Sequence, residues 1–205
     1  MSQQPFSTEG LNQDEIEVFS DTYITLRSFC DARFLEEITL DINLDNFECL
    51  NEYDRFGITE LIQVGENAYI AITDVNYTFA GNKGARHSVN QYEAWGVAAL
   101  HNNFGHVFIK PEGFKEKLIE LIKPMELDFE EDPAFSKRFY VLAKDQQKAI
   151  RHINPSFRTA LLNAGLKNFA LEIHQNMLLI GNNKYLNPAD AENFARFVQK
   201  VAQIR

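Results

Sequence analysis

The sequence predicts an α+β fold: an antiparallel β meander with flanking helices, then a C-terminal β-hairpin and a closing helix. Three observations carry this. Ala68 to Phe79, AYIAITDVNYTF, and Val89 to Leu100, VNQYEAWGVAAL, are long runs rich in β-branched and aromatic residues, joined by the glycine-bearing loop AGNKGAR. Met125, Leu127 and Phe129 alternate with Glu126, Asp128 and Glu130, the period of a strand with one wet face. Apolar stripes at helical spacing stand at both ends of the chain.

The first stripe is Ile16, Phe19, Tyr23, Leu26 and Cys30, and Asn12 with Glu15 supplies an N-cap pair. Ile38, Leu40, Ile42 and Leu44 then alternate with polar residues, predicting a strand or an extended arm. Phe47 to Gly65 reads as mixed, with DRFG and QVGEN as turn signals. The meander follows, its third strand running from Phe104 to Ile109 after the HNN turn, with a bulge expected at Gly96.

A helix over Gly113 to Ile122 is stopped by Pro124. Asp132-Pro133 turns the chain between two strands, because proline fixes φ and restricts the residue before it. Asp145 caps a helix, Asn154-Pro155 opens another that Gly165 ends, and Phe169 to Ile180 makes a hairpin about Gln175-Asn176. Asn187-Pro188 opens the last helix, whose inward face is Phe194, Phe197, Val198 and Val201. The expected division is an N-terminal helix and arm over residues 1–45 and an α+β domain over 46–205.

Composition narrows function by exclusion. The 205 residues carry a net charge of -9 and no basic stripe, which argues against nucleic acid and against anionic lipid. No run is long and apolar enough to span a membrane. The opening MSQQPFSTEG lacks the features of a secretory leader, so a cytoplasmic location is expected. Two cysteines, Cys30 and Cys49, share no metal or redox spacing and read as reduced, buried thiols.

Motifs for nucleophilic catalysis, phosphate binding and metal ligation are missing from the sequence. No G-x-S-x-G is present, and GNKGAR is flanked by strands where a phosphate loop must open a helix. No cofactor is expected. His101 and His106 with Glu93 form a conceivable ligand set, but a polar hairpin tip explains them more simply. The acidic run Glu126 to Asp132 reads as a solvated strand face that also guards an edge. The aromatic set Tyr69, Tyr77, Phe79, Tyr92 and Trp95 on paired strands could line an apolar pocket. Tyr69, Tyr77, Tyr92, Trp95, Glu93, His101 and His106 are therefore the candidate residues for a ligand or partner.

The order EEDPAFSKRFYVLAKDQQKAIRHINPSF, with FGHVFIKPEGF upstream, resembles a family of uncharacterised bacterial proteins, a domain of unknown function, mainly over residues 104–186. Members of that family are often membrane-tethered through one or two helices, and this sequence departs from that pattern in carrying no such helix. The resemblance implies no activity. Asp132, Pro133, Phe135 and Phe139 look like fold determinants within it. The leading expectation is a non-enzymatic binding or interaction module for an unknown protein or small molecule. The alternatives are a small hydrolase or isomerase using carboxylate and histidine groups, and a self-associating structural protein, a homo-oligomer whose Ile38 to Leu44 arm adds to a neighbour's sheet.

Overall fold

The structure is a computed structural model that describes residues 5–35, 42–80, 85–112 and 125–205. Helix α1 (Gln13–Arg27) starts at a capping box in which Asn12 and Glu15 each bond the other's backbone amide. A two-residue strand β1 (Arg33–Phe34) follows, then two 3-10 turns, Leu44–Asn46 and Glu48–Glu52. The long strands β2 (Arg55–Gly65), β3 (Ala68–Ala80) and β4 (Arg86–Ala99) come next, then β5 (His106–Pro111) and β6 (Met125–Glu126). After a single turn of helix α2 (Pro133–Ser136) the chain forms β7 (Phe139–Ala143), α3 (Gln146–His152) and α4 (Pro155–Leu162). It ends with β8 (Ala170–His174), β9 (Met177–Gly181) and α5 (Pro188–Ala202).

The described strands form one nine-stranded sheet in the order β1-β2-β3-β4-β9-β8-β5-β7-β6, every pairing antiparallel. The α+β class, the meander, the terminal hairpin and the closing helix all hold. The meander consists of β2, β3 and β4, however, and β5 is not its third strand. The later β8–β9 hairpin lies between β4 and β5. The link between β4 and β5 is pinned to the turn of that hairpin, with the Leu100 amide donating to Asn176 O at 2.7 Å and the Phe104 amide to Gln175 O at 2.8 Å.

Strand β2 was hidden in the mixed stretch for a physical reason. Its register with β3 shifts between Ile58 and Glu60, so Phe56, Ile58 and Leu61 reach one face while Ile62 and Val64 reach the other. That bulge breaks the period-two pattern a strand should show. At Gly96 the β3–β4 register is continuous and no bulge occurs. A Cβ there would stand 2.9 Å from both Ile180 Cγ2 and Val198 Cγ1, so the glycine lets α5 approach the sheet. Of the expected arm, residues 38–41 lie outside the described residues and Leu44 begins a 3-10 turn. The helix expected at Gly113 to Ile122 also lies outside them.

Alternation along the strands divides the core in two. Ala94, Ala98, Val107, Ile109, Leu171 and Ile173 face α1, α4 and α5 in the larger cluster. On the other face Trp95, Val97, Phe108, Leu142 and Leu179 are covered by Phe47, Cys49 and Leu50 of the 3-10 segment. Helix α1 packs on α5, and the Arg196 guanidinium sits 4.1 Å over the Phe29 ring.

The Asp132-Pro133 corner is built as its residues require, and it contains a partner that pattern alone does not reveal. Leu127 and Phe129 are buried while Glu126, Asp128 and Glu130 are exposed, although regular pairing ends at Glu126. Asp132 caps α2 and also accepts at 2.9 Å from the Nε of Arg158, which is only 3% exposed. Glu131 lies 3.1 Å from the same guanidinium, which sits 4.9 Å over the Phe129 ring. Two carboxylates of the acidic run thus neutralise a buried arginine, and the reading of that run as a wholly solvated face is corrected.

Candidate functional site

The face opposite the helices holds the chemistry. A 3-10 segment has amides that its own hydrogen bonds leave unsatisfied, and burying it requires acceptors from elsewhere. Glu172 on β8, fully buried, supplies them: its Oε1 accepts from the Glu48 amide at 3.0 Å and its Oε2 from the Cys49 amide at 2.8 Å. The imidazole Nε2 of His106 on β5 stands 2.5 Å from the same Oε1. Glu48 lies beside this group, 3.3 Å from Lys144 Nζ and 4.0 Å from His106 Nδ1.

A second buried carboxylate ties down the far end of the segment. Glu93 Oε2 accepts from the Tyr53 hydroxyl at 2.7 Å and the Trp95 indole N-H at 3.0 Å, and its Oε1 accepts from Gln91 at 2.6 Å. Burial pushes the Glu93 carboxyl above its ordinary value, against the pull of those three donors. The Tyr53 hydroxyl is driven far up by burial and by the Glu93 carboxylate beside it. Cys49 is also pushed well up, first by burial and then by Glu172, which leaves it a thiol and a poor nucleophile. Burial and the neighbouring His106 hold His174 low.

Between these two anchors a cleft of about 230 Å³ opens where β8 begins and β9 ends. Its apolar lining is Cys49, Tyr53, Trp95, Phe169 and Ala170, and its polar lining is Glu52, Lys110, Asn168, Asn182 and Asn183. The indole lies across Gly181, where a Cβ would come within 2.7 Å of three ring carbons. Lys110 and Glu52 are the charged lining residues among those described; Nζ and Oε1 stand 4.0 Å apart, with side chains 13% and 46% exposed. A wider depression of about 700 Å³ runs along the β1 edge by Phe6, Tyr23 and Phe34. Its charged groups are engaged locally, Arg33 with Asp31 and Glu60 with the Ser7 amide.

Among the residues singled out from sequence, Trp95, Glu93, Tyr69, Tyr77 and His106 share the face that carries the 3-10 segment. Trp95 lines the cleft, and Glu93 lies behind the wall with its bonds to Tyr53 and Trp95. Tyr69 packs against the cluster beneath the segment, and the Tyr77 ring is 6.1 Å from that of Tyr53. His106 belongs to the Glu172 group. Tyr92 points to the opposite face, its ring edge-on to Phe19 at 5.1 Å, and His101 lies exposed in the turn after β4. Tyr53, Glu52, Lys110, Phe169, Asn182 and Glu172 are not marked as site residues by any spacing or composition in the sequence.

Among the described residues, no three His, Cys, Asp or Glu side chains are grouped as metal ligands would be. No described helix is long and apolar enough to cross a membrane.

No family model and no curated protein matches the chain, so the resemblance over residues 104–186 gains no family assignment. In fold the chain is similar to the crystal structure of the mycobacterial trehalose monomycolate transport factor A, TtfA. The TM-score is 0.56 at 13% identity, covering 90% of this chain and 92% of that one. At that identity the likeness shows a shared fold and nothing about ligand or cargo.

Proposed function

We propose that this chain is a binding module whose small-molecule ligand occupies the cleft between the 3-10 segment and the ends of β8 and β9. One observation carries the reading. The polar tips of Tyr53 and Trp95 are both bonded to Glu93, so the lining receives their apolar ring surfaces, while Lys110 and Glu52 remain to set polarity. Apolar walls with a few polar groups are the usual make-up of a ligand site. At about 230 Å³ the cleft is smaller than the roughly 300–1,000 Å³ of drug-sized sites, which points to a small metabolite.

The rival reading, a hydrolase or isomerase built on carboxylate and histidine, draws on the 2.5 Å contact between His106 and Glu172. Both oxygens of Glu172 also hold backbone amides of the 3-10 segment, and the residue is fully buried. A carboxylate so engaged and sealed from solvent has no approach to a substrate, so the pair is read as an anchor.

Trp95 is the single tryptophan of the chain and forms part of the cleft wall, so its emission reports occupancy directly. Fragment-sized compounds titrated against the protein are expected to shift that emission, and Ala170→Phe, which fills the cleft, is expected to abolish the response without lowering the melting temperature. A response that survives in Ala170→Phe, or no response to any fragment, would overturn the proposal.

A further inference from the structure

We infer that the ligand of this cleft is a single zwitterionic α-amino acid with an apolar side chain, an inference that rests on the binding-module reading. The argument begins with charge. Among the described residues that line the cleft, Lys110 and Glu52 are the two with formal charge, and they cancel. A purely anionic ligand would meet Lys110 and be repelled by Glu52, and a purely cationic one the reverse. A molecule carrying both charges satisfies both.

The spacing of the pair supports the same conclusion. Nζ and Oε1 are 4.0 Å apart, whereas a hydrogen-bonded ion pair closes to about 2.7–2.9 Å. A ligand carboxylate at Lys110 and a ligand ammonium at Glu52 would replace one loose contact with two close ones. Exposure sets the orientation. Lys110 is 13% exposed and Glu52 46%, so the carboxylate lies deep and the ammonium at the mouth. The apolar side chain then meets Phe169, Ala170 and the ring of Trp95, whose indole N-H is already engaged with Glu93. The amides of Asn168 and Asn183 stand at the rim, while Asn182 donates to Asp190 at 2.6 Å and holds the loop after β9 in place. A volume of about 230 Å³ admits one residue.

The test uses the intact chain and four probes of one shape: L-phenylalanine, its deaminated acid 3-phenylpropionate, its decarboxylated amine phenethylamine, and neutral propylbenzene. Binding is read by Trp95 emission and by calorimetry. L-phenylalanine is expected to bind at least tenfold more tightly than any of the other three. Glu52→Gln, a change at a half-exposed side chain, is expected to weaken L-phenylalanine at least tenfold while leaving 3-phenylpropionate unchanged or tighter. Lys110→Met, which keeps the aliphatic stem, is expected to weaken L-phenylalanine and 3-phenylpropionate together. Equal binding of the acid or the amine, or of the neutral compound, would overturn the zwitterion assignment and leave the cleft as a ligand site. If none of the four binds while other fragments shift the emission, the amino-acid class alone fails. If nothing shifts it, the binding-module reading fails as well.

Discussion

The indole of Trp95 lies across Gly181 on the neighbouring strand, with three of its ring carbons within 2.7 Å of where a Cβ on residue 181 would be. The ring therefore exists in this position only because residue 181 has no side chain. Gly181→Ala must lift the indole, breaking its 3.0 Å bond to Glu93 and disturbing the Tyr53 anchor. Overpacking of this kind costs roughly 1–3 kcal/mol. Urea denaturation should show that loss together with a red shift in the emission of the single tryptophan. An unchanged spectrum would mean the ring is not seated on Gly181.

Glu172 should matter to a segment more than 120 residues away. Its carboxylate accepts from the Glu48 and Cys49 amides at 3.0 and 2.8 Å. Glu172→Ala leaves those two donors without their acceptor, at a cost of roughly 1–3 kcal/mol for each one kept from water. Hydrogen exchange at Glu48 and Cys49 should accelerate far more than exchange in α5. Uniform acceleration across the protein would instead mean that the segment opens only with the whole fold.

The contrast between these long-range bonds and the helix caps explains what the sequence could disclose. Asn12 with Glu15, and Asn187 with Pro188, act within four residues, so both terminal helices were legible from local chemistry. Aromatic enrichment also led to Trp95, and Glu93 lies two residues before it on the same strand face. Glu172 and the Glu48 amide are 124 residues apart, and no local pattern links them. Strand β2 was masked by the shift between Ile58 and Glu60. The place of β5 could not be inferred from its neighbours in sequence, because the strands that separate it from β4 begin only at Ala170, 59 residues after β5 ends at Pro111. The cleft inherits this non-local character: Cys49, Trp95, Lys110 and Phe169 meet only after that insertion.

Asp132 and Glu131 both face Arg158, and their loss should differ sharply. Asp132 is 23% exposed, caps α2 through the Phe135 amide and bonds the guanidinium at 2.9 Å. Removing it strips a buried cation of its closest partner, a change that typically costs about 3–5 kcal/mol. Glu131 is 63% exposed, so solvent screens its side of the pair and its contribution is about 0–1 kcal/mol. Chemical denaturation of Asp132→Ala and Glu131→Ala should therefore separate the two by more than 2 kcal/mol. Equal losses would show that the guanidinium draws on both carboxylates alike.

Glu93 gives the pH dependence its sign. Burial raises its carboxyl in the folded state above the ordinary 4.5, so the native protein holds that proton more tightly than the unfolded chain does. The resulting stabilisation is full below pH 4.5 and is lost as pH rises through the raised folded value. His174, held below its ordinary 6.5 by burial and by His106, acts the other way, its contribution being lost as pH falls. Comparing wild type with Glu93→Gln cancels the histidine, which lies in the other anchor. Subtracting the variant's unfolding free energy from that of the wild type at each pH should give a difference that declines as pH rises above 4.5. Tyr53→Phe removes one of the three donors that favour the ionised form, so it should raise the Glu93 carboxyl further and extend the decline to higher pH. A flat difference would mean that the three hydrogen bonds balance burial, and one that rises with pH would mean that they outweigh it.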